Sequence, residues 1–376
     1  MISFQPTDEE TEFVNVATKV AKDKIRPIAH ECEDKKQVPS SLSNEIAELG
    51  FLSLEAPESG GGLEFPLITQ VQIMTALSYG DLGIIQGLPG VNDAASFLRT
   101  KSHPSLENML NNEKTVAFLD LASDDQPWGN QIQLNAQRDG YVVNGVSQPV
   151  RLARFADSIL VAGVDAEGTS VVFYLDEQDV WQFEAGDIRL GLLASGIGCF
   201  SFNQTEVAVD KVLAKGEEAE EWIKAARARI YILQAAKQVG SMQAALDYAT
   251  EYTAERVAFG QRIATFQGVS FRIAKMAIET RIANHLVWEA AVKADEEEKD
   301  ASGLALSALH RAHQSARYVT DSAVQLLGGH GYIQEYPAEK WARDALAQVT
   351  LYGREKDLLL QRGEQILAGD KVGVTV

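Results

Sequence analysis

At 376 residues with 45% hydrophobic side chains, the chain is long enough for two or three compact units rather than a single core. Fifty-three acidic against thirty-four basic residues give a formal charge of −19, which repels nucleic-acid backbones and anionic lipid surfaces and excludes a general nucleic-acid-binding role. No run of eighteen apolar residues is present to span a membrane, and the opening Met1-Ile-Ser-Phe-Gln-Pro-Thr-Asp-Glu-Glu10 lacks the basic and apolar regions of a signal peptide, so a cytoplasmic location is expected.

Residues 1–113 read as helices. Thr7-Asp-Glu-Glu10 offers a cap followed by acids, and Phe13, Val16, Ala17, Val20 and Ala21 recur at helical spacing. Pro39-Ser-Ser-Leu42 opens a second helix, and further helices are expected after Pro66 and around Ala94 to Leu98. Residues 114–215 change character. Thr115 to Leu121, Gln131 to Ala136, Tyr141 to Gly145, Ser158 to Gly163 and Ser170 to Leu175 are short, β-rich and separated by turn residues, which predicts a small antiparallel β domain. Residues 216–376 read as long helices, broken at Ala258-Phe-Gly260, at the acidic turn Ala294 to Gly303 and at a glycine cluster from Gly328. Apolar residues at 271, 274, 278, 282 and 286 are expected to form the buried stripe of one of them. The order is an α+β multidomain one: N-terminal helices, a β domain, then a C-terminal four-helix bundle. No Gly-x-Gly-x-x-Gly follows a strand, which speaks against a Rossmann order.

Cys32 and Cys199 are the only cysteines and lie far apart, which excludes a disulfide framework and leaves buried free thiols as the default. His310 and His313 stand three apart on a predicted helix without a carboxylate motif, so no metal site is expected. In so acidic a chain, any site for an anionic cofactor must be locally basic. Arg227, Arg229, Arg256 and Arg262 are the candidates, each with the alternative of a surface ion pair.

Two segments carry the functional signal. Gln325-Leu-Leu-Gly-Gly-His-Gly-Tyr332 pairs an amide with glycines at 328, 329 and 331, followed by Glu335-Tyr-Pro-Ala-Glu-Lys-Trp-Ala-Arg-Asp-Ala345. Upstream stands Glu255-Arg-Val-Ala-Phe-Gly-Gln-Arg-Ile-Ala-Thr-Phe-Gln267. Together they resemble the acyl-CoA dehydrogenase family, whose members carry Arg-x-x-Phe-Gly, Phe-Gln and Gln-x-x-Gly-Gly-x-Gly-Tyr in this order. Leu49-Gly-Phe-Leu-Ser-Leu-Glu-Ala-Pro-Glu-Ser-Gly-Gly-Gly62 is similar to the family's Pro-Glu-x-x-Gly-Gly loop, so the resemblance spans essentially the whole chain.

The resemblance implies an FAD enzyme that removes a proton α to an acyl-CoA thioester with a carboxylate while the β-hydride passes to the flavin, with an electron-transferring flavoprotein as acceptor. It also implies FAD lying across a dimer interface, the ring in one subunit's β domain and the pyrophosphate and adenosine against the neighbour's bundle. The donated half is intact here. Arg256 matches the pyrophosphate-pairing arginine, Phe259 the residue that packs on the cofactor, and Gln325, Gly328 and Gly329 the adenosine-side positions.

The half a subunit uses for its own ring is altered. The family's Thr-Glu-Pro-x-x-Gly-Ser-Asp is replaced by Leu119-Asp-Leu-Ala-Ser-Asp-Asp-Gln126. Its Asn-Gly-x-Lys-x-Trp-Ile-Thr-Asn aligns with Asn144-Gly-Val-Ser-Gln-Pro-Val-Arg-Leu152, putting Pro149 for tryptophan and Arg151 for the flavin-bonding threonine. Counting from Arg343-Asp-Ala345, Tyr352 occupies the place of the usual catalytic glutamate, and Ile230 the alternative place on the first long bundle helix. A phenol with an ordinary pKa of about 10 is a poor base at neutral pH. Glu355, one turn on, is the substitute candidate.

Three readings follow. In the first, the chain is one subunit of a hetero-oligomer that donates half of an FAD site to a second acyl-CoA dehydrogenase-like chain. In the second it is a self-sufficient homo-oligomeric dehydrogenase using Glu355 as base. In the third it is a flavin-free acyl-CoA-binding or structural subunit.

Overall fold

The computed structural model describes residues 7–58, 61–90, 92–101, 114–121 and 132–369. The N-terminal unit contains α1 (Asp8–Val20), α2 (Ala29–Lys35), α3 (Ser40–Glu48), α4 (Leu67–Ser78), α5 (Leu82–Gln86) and α6 (Ala95–Thr100). The cap read at Thr7 is a full capping box: Thr7 Oγ1 accepts from Glu10 N at 3.2 Å, and Glu10 Oε2 accepts from Thr7 N at 2.7 Å. The α5 helix has no polar face to reveal it. All five of its residues are buried, and Asp81 caps it by accepting from Ile84 N at 2.8 Å. Ile25, Cys32, Ile46, Phe51, Ile73, Leu77 and Ile84 form this unit's own core.

The β unit is two four-stranded sheets. One runs β1 (Val116–Asp120), β4 (Ser158–Val164), β5 (Ser170–Leu175), β8 (Val212–Lys215); the other runs β2 (Gln133–Gln137), β3 (Gly140–Val146), β7 (Cys199–Ala208), β6 (Gln182–Glu184). The alternation of strand side chains does two jobs. Ile159 and Val161 pack between the sheets with Tyr141, Phe173 and Phe200, whereas Leu160 and Ala162 on the opposite face pack on helices. The pairing is antiparallel with one exception: β1 and β4 run parallel, Val116 opposite Ser158, because the chain crosses to the second sheet and back before β4 returns beside β1.

The C-terminal unit comprises α7 (Glu217–Glu255), a short hairpin of β9 (Val257–Ala258) and β10 (Gln261–Arg262), α8 (Gln267–Asp295), α9 (Ala301–Leu327), a 3-10 turn over Gly328–Tyr332, α10 (Ala338–Val349) and α11 (Glu355–Leu367). Residues of α4, α6, β4 and α7 share one core, including Leu67, Phe97, Leu160 and Trp222, so the long helix α7 ties all three units together. Among the described residues no helix is long and apolar enough to cross a membrane.

The expectation for α8 is corrected. Of the expected stripe, Phe271 at 67% exposed, Ile278 at 57% and Ile282 at 41% face outward and Leu286 packs half-buried against the core, while Met276, Thr280, Ala283, Val287 and Ala290 form the buried face. Small side chains on both α8 and α9 let the helices approach closely, and the bulky stripe stays exposed.

Candidate functional site

The outer rim of the bundle brings together the two motif segments. Arg256 follows the last residue of α7 in extended conformation, and the chain then folds into a two-residue hairpin turn with Phe259 at φ +52° and Gly260 at φ +81°. Two successive positive φ values define the primed turn that suits a right-twisted hairpin, but they are strained for phenylalanine. Its ring is 94% exposed, edge-on to Phe266 at 6.3 Å. Burial of apolar surface within this chain therefore gives no return for that strain.

The glycine turn that ends α9 uses its glycines differently. Gly328 has φ +59°, a conformation that favours glycine. A Cβ at Gly331 would sit 2.1 Å from the Val324 carbonyl oxygen, so only glycine fits. Gly329 has neither reason, since an added Cβ meets nothing within 4 Å. Gln325, Gly328 and Gly329 are all exposed. Tyr252, near the end of α7, bridges the two segments: its hydroxyl lies 2.8 Å from His330 Nδ1 and 3.4 Å from the Leu327 carbonyl oxygen. The His330 ring stacks on Tyr336 at 4.5 Å and 6°.

The four candidate arginines divide. Arg227 pairs with Asp120 through two bonds of 2.9 Å, and buried Arg229 pairs with Glu55 at 2.6 Å and Asp295 at 3.1 Å. Arg256 and Arg262 are exposed and make no ion pair among the described residues. The basic positions left open for an anion are thus at the rim.

The Glu335 to Ala345 motif is structural. Buried Lys340 binds Asp81 at 2.6 Å and Asp344 at 2.7 Å, and Asp344 Oδ1 also accepts from Leu192 N at 2.6 Å. Arg343 pairs with Glu33 and Glu339 and donates to the Leu190 carbonyl. These bonds staple α10 to the N-terminal unit and to the loop before β7.

Where the three units meet, the interior is filled by a polar cluster centred on Asp93. Arg151, 4% exposed, donates from Nε to Asp93 Oδ2 at 2.9 Å and from Nη1 to the Gln86 carbonyl at 2.9 Å. Tyr352 donates to the same Asp93 oxygen at 2.7 Å. Gln234 Nε2 donates to Asp93 Oδ1 at 3.0 Å, Gln86 bridges Gln234 and Gln348 at 2.5 and 2.7 Å, and Lys237 Nζ reaches Gln86 Oε1 at 3.3 Å.

Burial opposes the Asp93 charge, but Arg151, Lys237 and the Tyr352 hydroxyl outweigh it and hold the carboxyl below its usual range. Burial, with Arg151 beside it, pushes Lys237 down to about 7 against the pull of Asp93. Burial first, then the neighbouring Asp93 charge, raises the Tyr352 phenol well above 10 despite Arg151. Tyr352 is a hydrogen-bond donor here. The adjoining cavity, lined by Phe118, Gln148, Pro149, Arg151, Tyr231 and Tyr352, measures about 40 Å³.

Glu355 is not brought to this centre. It opens α11, pairs with Arg317 at 2.5 Å and lines a surface depression with Tyr318, Asp321 and Leu346. Ile230 is buried beside the small cavity. His313 is bonded to Gln238 Oε1 at 2.9 Å, and burial lowers its pKa to about 3; no carboxylate joins it and His310 in a metal-ligating group among the described residues. Of the segment Leu119 to Gln126, positions 122–126 lie outside the described residues, as do positions 59 and 60 of the Pro57 to Gly62 loop. The cluster partners Asp93, Gln86, Gln234 and Gln348 carry no motif and were not singled out by sequence; an inward polar stripe on α7 at Gln234, Lys237, Gln238 and Ser241 was the available sign.

A helical unit, a two-sheet β unit and a long-helix bundle converge on one centre, with an exposed arginine and a glycine turn at the rim, which is the layout the acyl-CoA dehydrogenase resemblance implies. Family models described as "Acyl-CoA dehydrogenase, N-terminal domain" and "Acyl-CoA dehydrogenase, C-terminal domain" match residues 7–99 and 224–366. The chain is 29% identical over 355 residues to a 3-(aryl)acrylate reductase of Clostridium sporogenes, covering 90% of this chain and 93% of that protein. It is 27% identical over 372 residues to benzylmalonyl-CoA dehydrogenase of Aromatoleum aromaticum, covering 94% and 96%. The butyryl-CoA dehydrogenase structure from Megasphaera elsdenii matches with a TM-score of 0.86 at 25% identity, over 97% of this chain and 100% of that one. The chain belongs to the acyl-CoA dehydrogenase family, whose members are FAD-dependent oxidoreductases.

Proposed function

We propose that this chain is one subunit of a hetero-oligomeric acyl-CoA dehydrogenase. It lends Arg256, Phe259, Gln325, Gly328 and Gly329 to the pyrophosphate and adenosine of an FAD whose ring is seated in a second acyl-CoA dehydrogenase-like chain. The partner then binds the acyl-CoA and supplies the base, and an electron-transferring flavoprotein takes the electrons, as the family resemblance implies.

The observation that carries this reading is the contrast between rim and centre. At the rim, an unpaired Arg256, a strained and exposed Phe259 and an unobstructed Gly329 fit a dinucleotide's phosphate and adenosine. The ring half fits poorly. The place the resemblance assigns to it is occupied by Pro149 and an inward Arg151 locked to Asp93, and the cavity there is about 40 Å³, against the roughly 300–1,000 Å³ of sites that enclose ligands of this class. The bulky stripe of α8 supports a protein neighbour, because Phe271, Ile278 and Ile282 are exposed on the helix that follows the Phe259 hairpin.

When bound, FAD supplies hydride acceptance; this chain's own contribution is to hold the phosphate charge and the adenosine in register. The self-sufficient reading needs Glu355 as base, and the Arg317 pairing on the surface turns that carboxylate elsewhere. Replacement of Arg256 by alanine in the complex with its partner is expected to strip FAD although the ring lies in the other chain. Unchanged flavin occupancy would refute the reading, and binding of acyl-CoA by this chain without FAD would favour a flavin-free role.

A further inference from the structure

The glycine turn carries one side chain that neither the glycines' conformation nor the packing of the bundle employs fully. His330 is clamped on one edge and one face: Tyr252 meets Nδ1 at 2.8 Å, Tyr336 stacks on the ring at 4.5 Å, and the Tyr252 ring stands edge-on to both. The opposite edge is free. His330 is half-buried, and Nε2 has no protein partner and is not among the sealed, unsatisfied atoms of the described residues, so it reaches solvent from within the turn that contains Gly329.

The Tyr252 hydroxyl lies 2.8 Å from His330 Nδ1 and 3.4 Å from the Leu327 carbonyl oxygen, so Nδ1 is engaged whichever of the two groups carries the hydrogen. Nε2 is the ring nitrogen left to bond outside the chain. A stacked, hydrogen-bonded ring loses little further freedom on binding, which is the condition for an efficient contact.

We propose that His330 is a further cofactor-binding residue, its ring fixed by Tyr252 and Tyr336 so that Nε2 hydrogen-bonds the adenosine moiety of the dinucleotide that the rim receives. Tyr252 and Tyr336 are positioning residues for that contact. The inference rests on the half-site reading, and it extends the ligand set from backbone glycines and Arg256 to a side chain that selects adenosine.

The test uses the native complex, deflavinated and titrated with FAD by quenching of flavin fluorescence, with FMN, which lacks adenosine, as the control ligand. His330→Ala is expected to weaken FAD about three- to tenfold, the range of a single hydrogen bond, and to leave FMN unchanged. His330→Gln, whose amide nitrogen can stand near Nε2, should recover most of the loss, and Tyr252→Phe should weaken FAD by a smaller factor with the complex's melting temperature held. If Arg256→Ala weakens FAD while His330→Ala and Tyr252→Phe do not, the inference is overturned and the half-site reading stands. If none of the three changes FAD affinity, both fall. Should His330→Ala not assemble, Tyr252→Phe decides, because it deletes one oxygen: unchanged FAD affinity overturns the proposal.

Discussion

The centre of this molecule and its rim solve opposite problems. At the centre, charges from all three units face each other: Asp93 from the N-terminal unit meets Arg151 from the β unit and Tyr352 from the bundle, with the Lys237 charge close by, and Arg151 and Tyr352 line a cavity of about 40 Å³. At the rim, Arg256, Phe259 and Gly329 make no such closed set, and a phenylalanine is held at φ +52° with its ring in solvent. A polar group paired inside a chain is committed to that partner, whereas one held open is available to something else. The half-site reading proposed above divides the family site along that line.

The largest effect is expected from breaking the centre. Asp93→Ala leaves Arg151 buried without its counter-charge and should cost about 3–5 kcal/mol of stability, read by urea unfolding. A loss below about 1 kcal/mol would mean that the cluster does not hold the units together.

The rim should respond in binding and not in stability. Gly329→Val adds a side chain where the structure has open space, so the melting temperature should be unchanged, while FAD affinity of the complex should fall more than about tenfold if the dinucleotide lies against that backbone. Equal FAD binding by the variant would leave Gly329 without a ligand-related role.

Lys237 gives the centre a pH signature. Its folded pKa is depressed to about 7 from an ordinary 10.5, so between these values the unfolded chain holds a proton that the folded chain lacks. Stability from this group therefore rises with pH across the window from about 7 to 10.5 and is flat below it. Lys237→Met should remove that rise, seen as an unfolding free energy of the unaltered protein that climbs relative to the variant's as pH increases from about 7 to 10.5; parallel curves would contradict it. The smallest effect is expected at the surface. Glu355→Gln breaks a half-exposed pair with Arg317 and should change stability by no more than about 1 kcal/mol and turnover of the complex not at all. Abolished turnover would make Glu355 the base and restore the self-sufficient reading.

Much of this contrast was legible in the sequence, and unevenly so. The order of helical, β and bundle units follows from periodicity, and the rim residues from two motifs whose function depends on local backbone: a turn needs glycine where φ is positive, and Gly328 and Gly260 have it. That Tyr352 and Arg151 stand where the resemblance puts a glutamate and a threonine was readable only as an expectation from motif spacing. What the two new side chains do was not, because their partner Asp93 lies on a short 3-10 turn with no pattern of its own, and Gln86 sits in a five-residue helix buried on all sides. The α8 stripe misled for a related reason. Periodicity finds an apolar face but not what covers it, and in α8 the close approach of α9 is made by alanines while Phe271, Ile278 and Ile282 face away. The parallel β1 and β4 pairing depends on a crossover between sheets, which strand composition does not encode.

The central claim is that the flavin site is shared between two different chains, and the visible absorption spectrum tests it most directly. The chain purified alone and supplied with FAD should retain no flavin band after desalting, and the same chain isolated with its partner should show one that disappears when Arg256 is replaced by alanine. Stoichiometric flavin on the lone chain would contradict the account, since it would require the ring to be seated beside Pro149 and Arg151 without a second subunit.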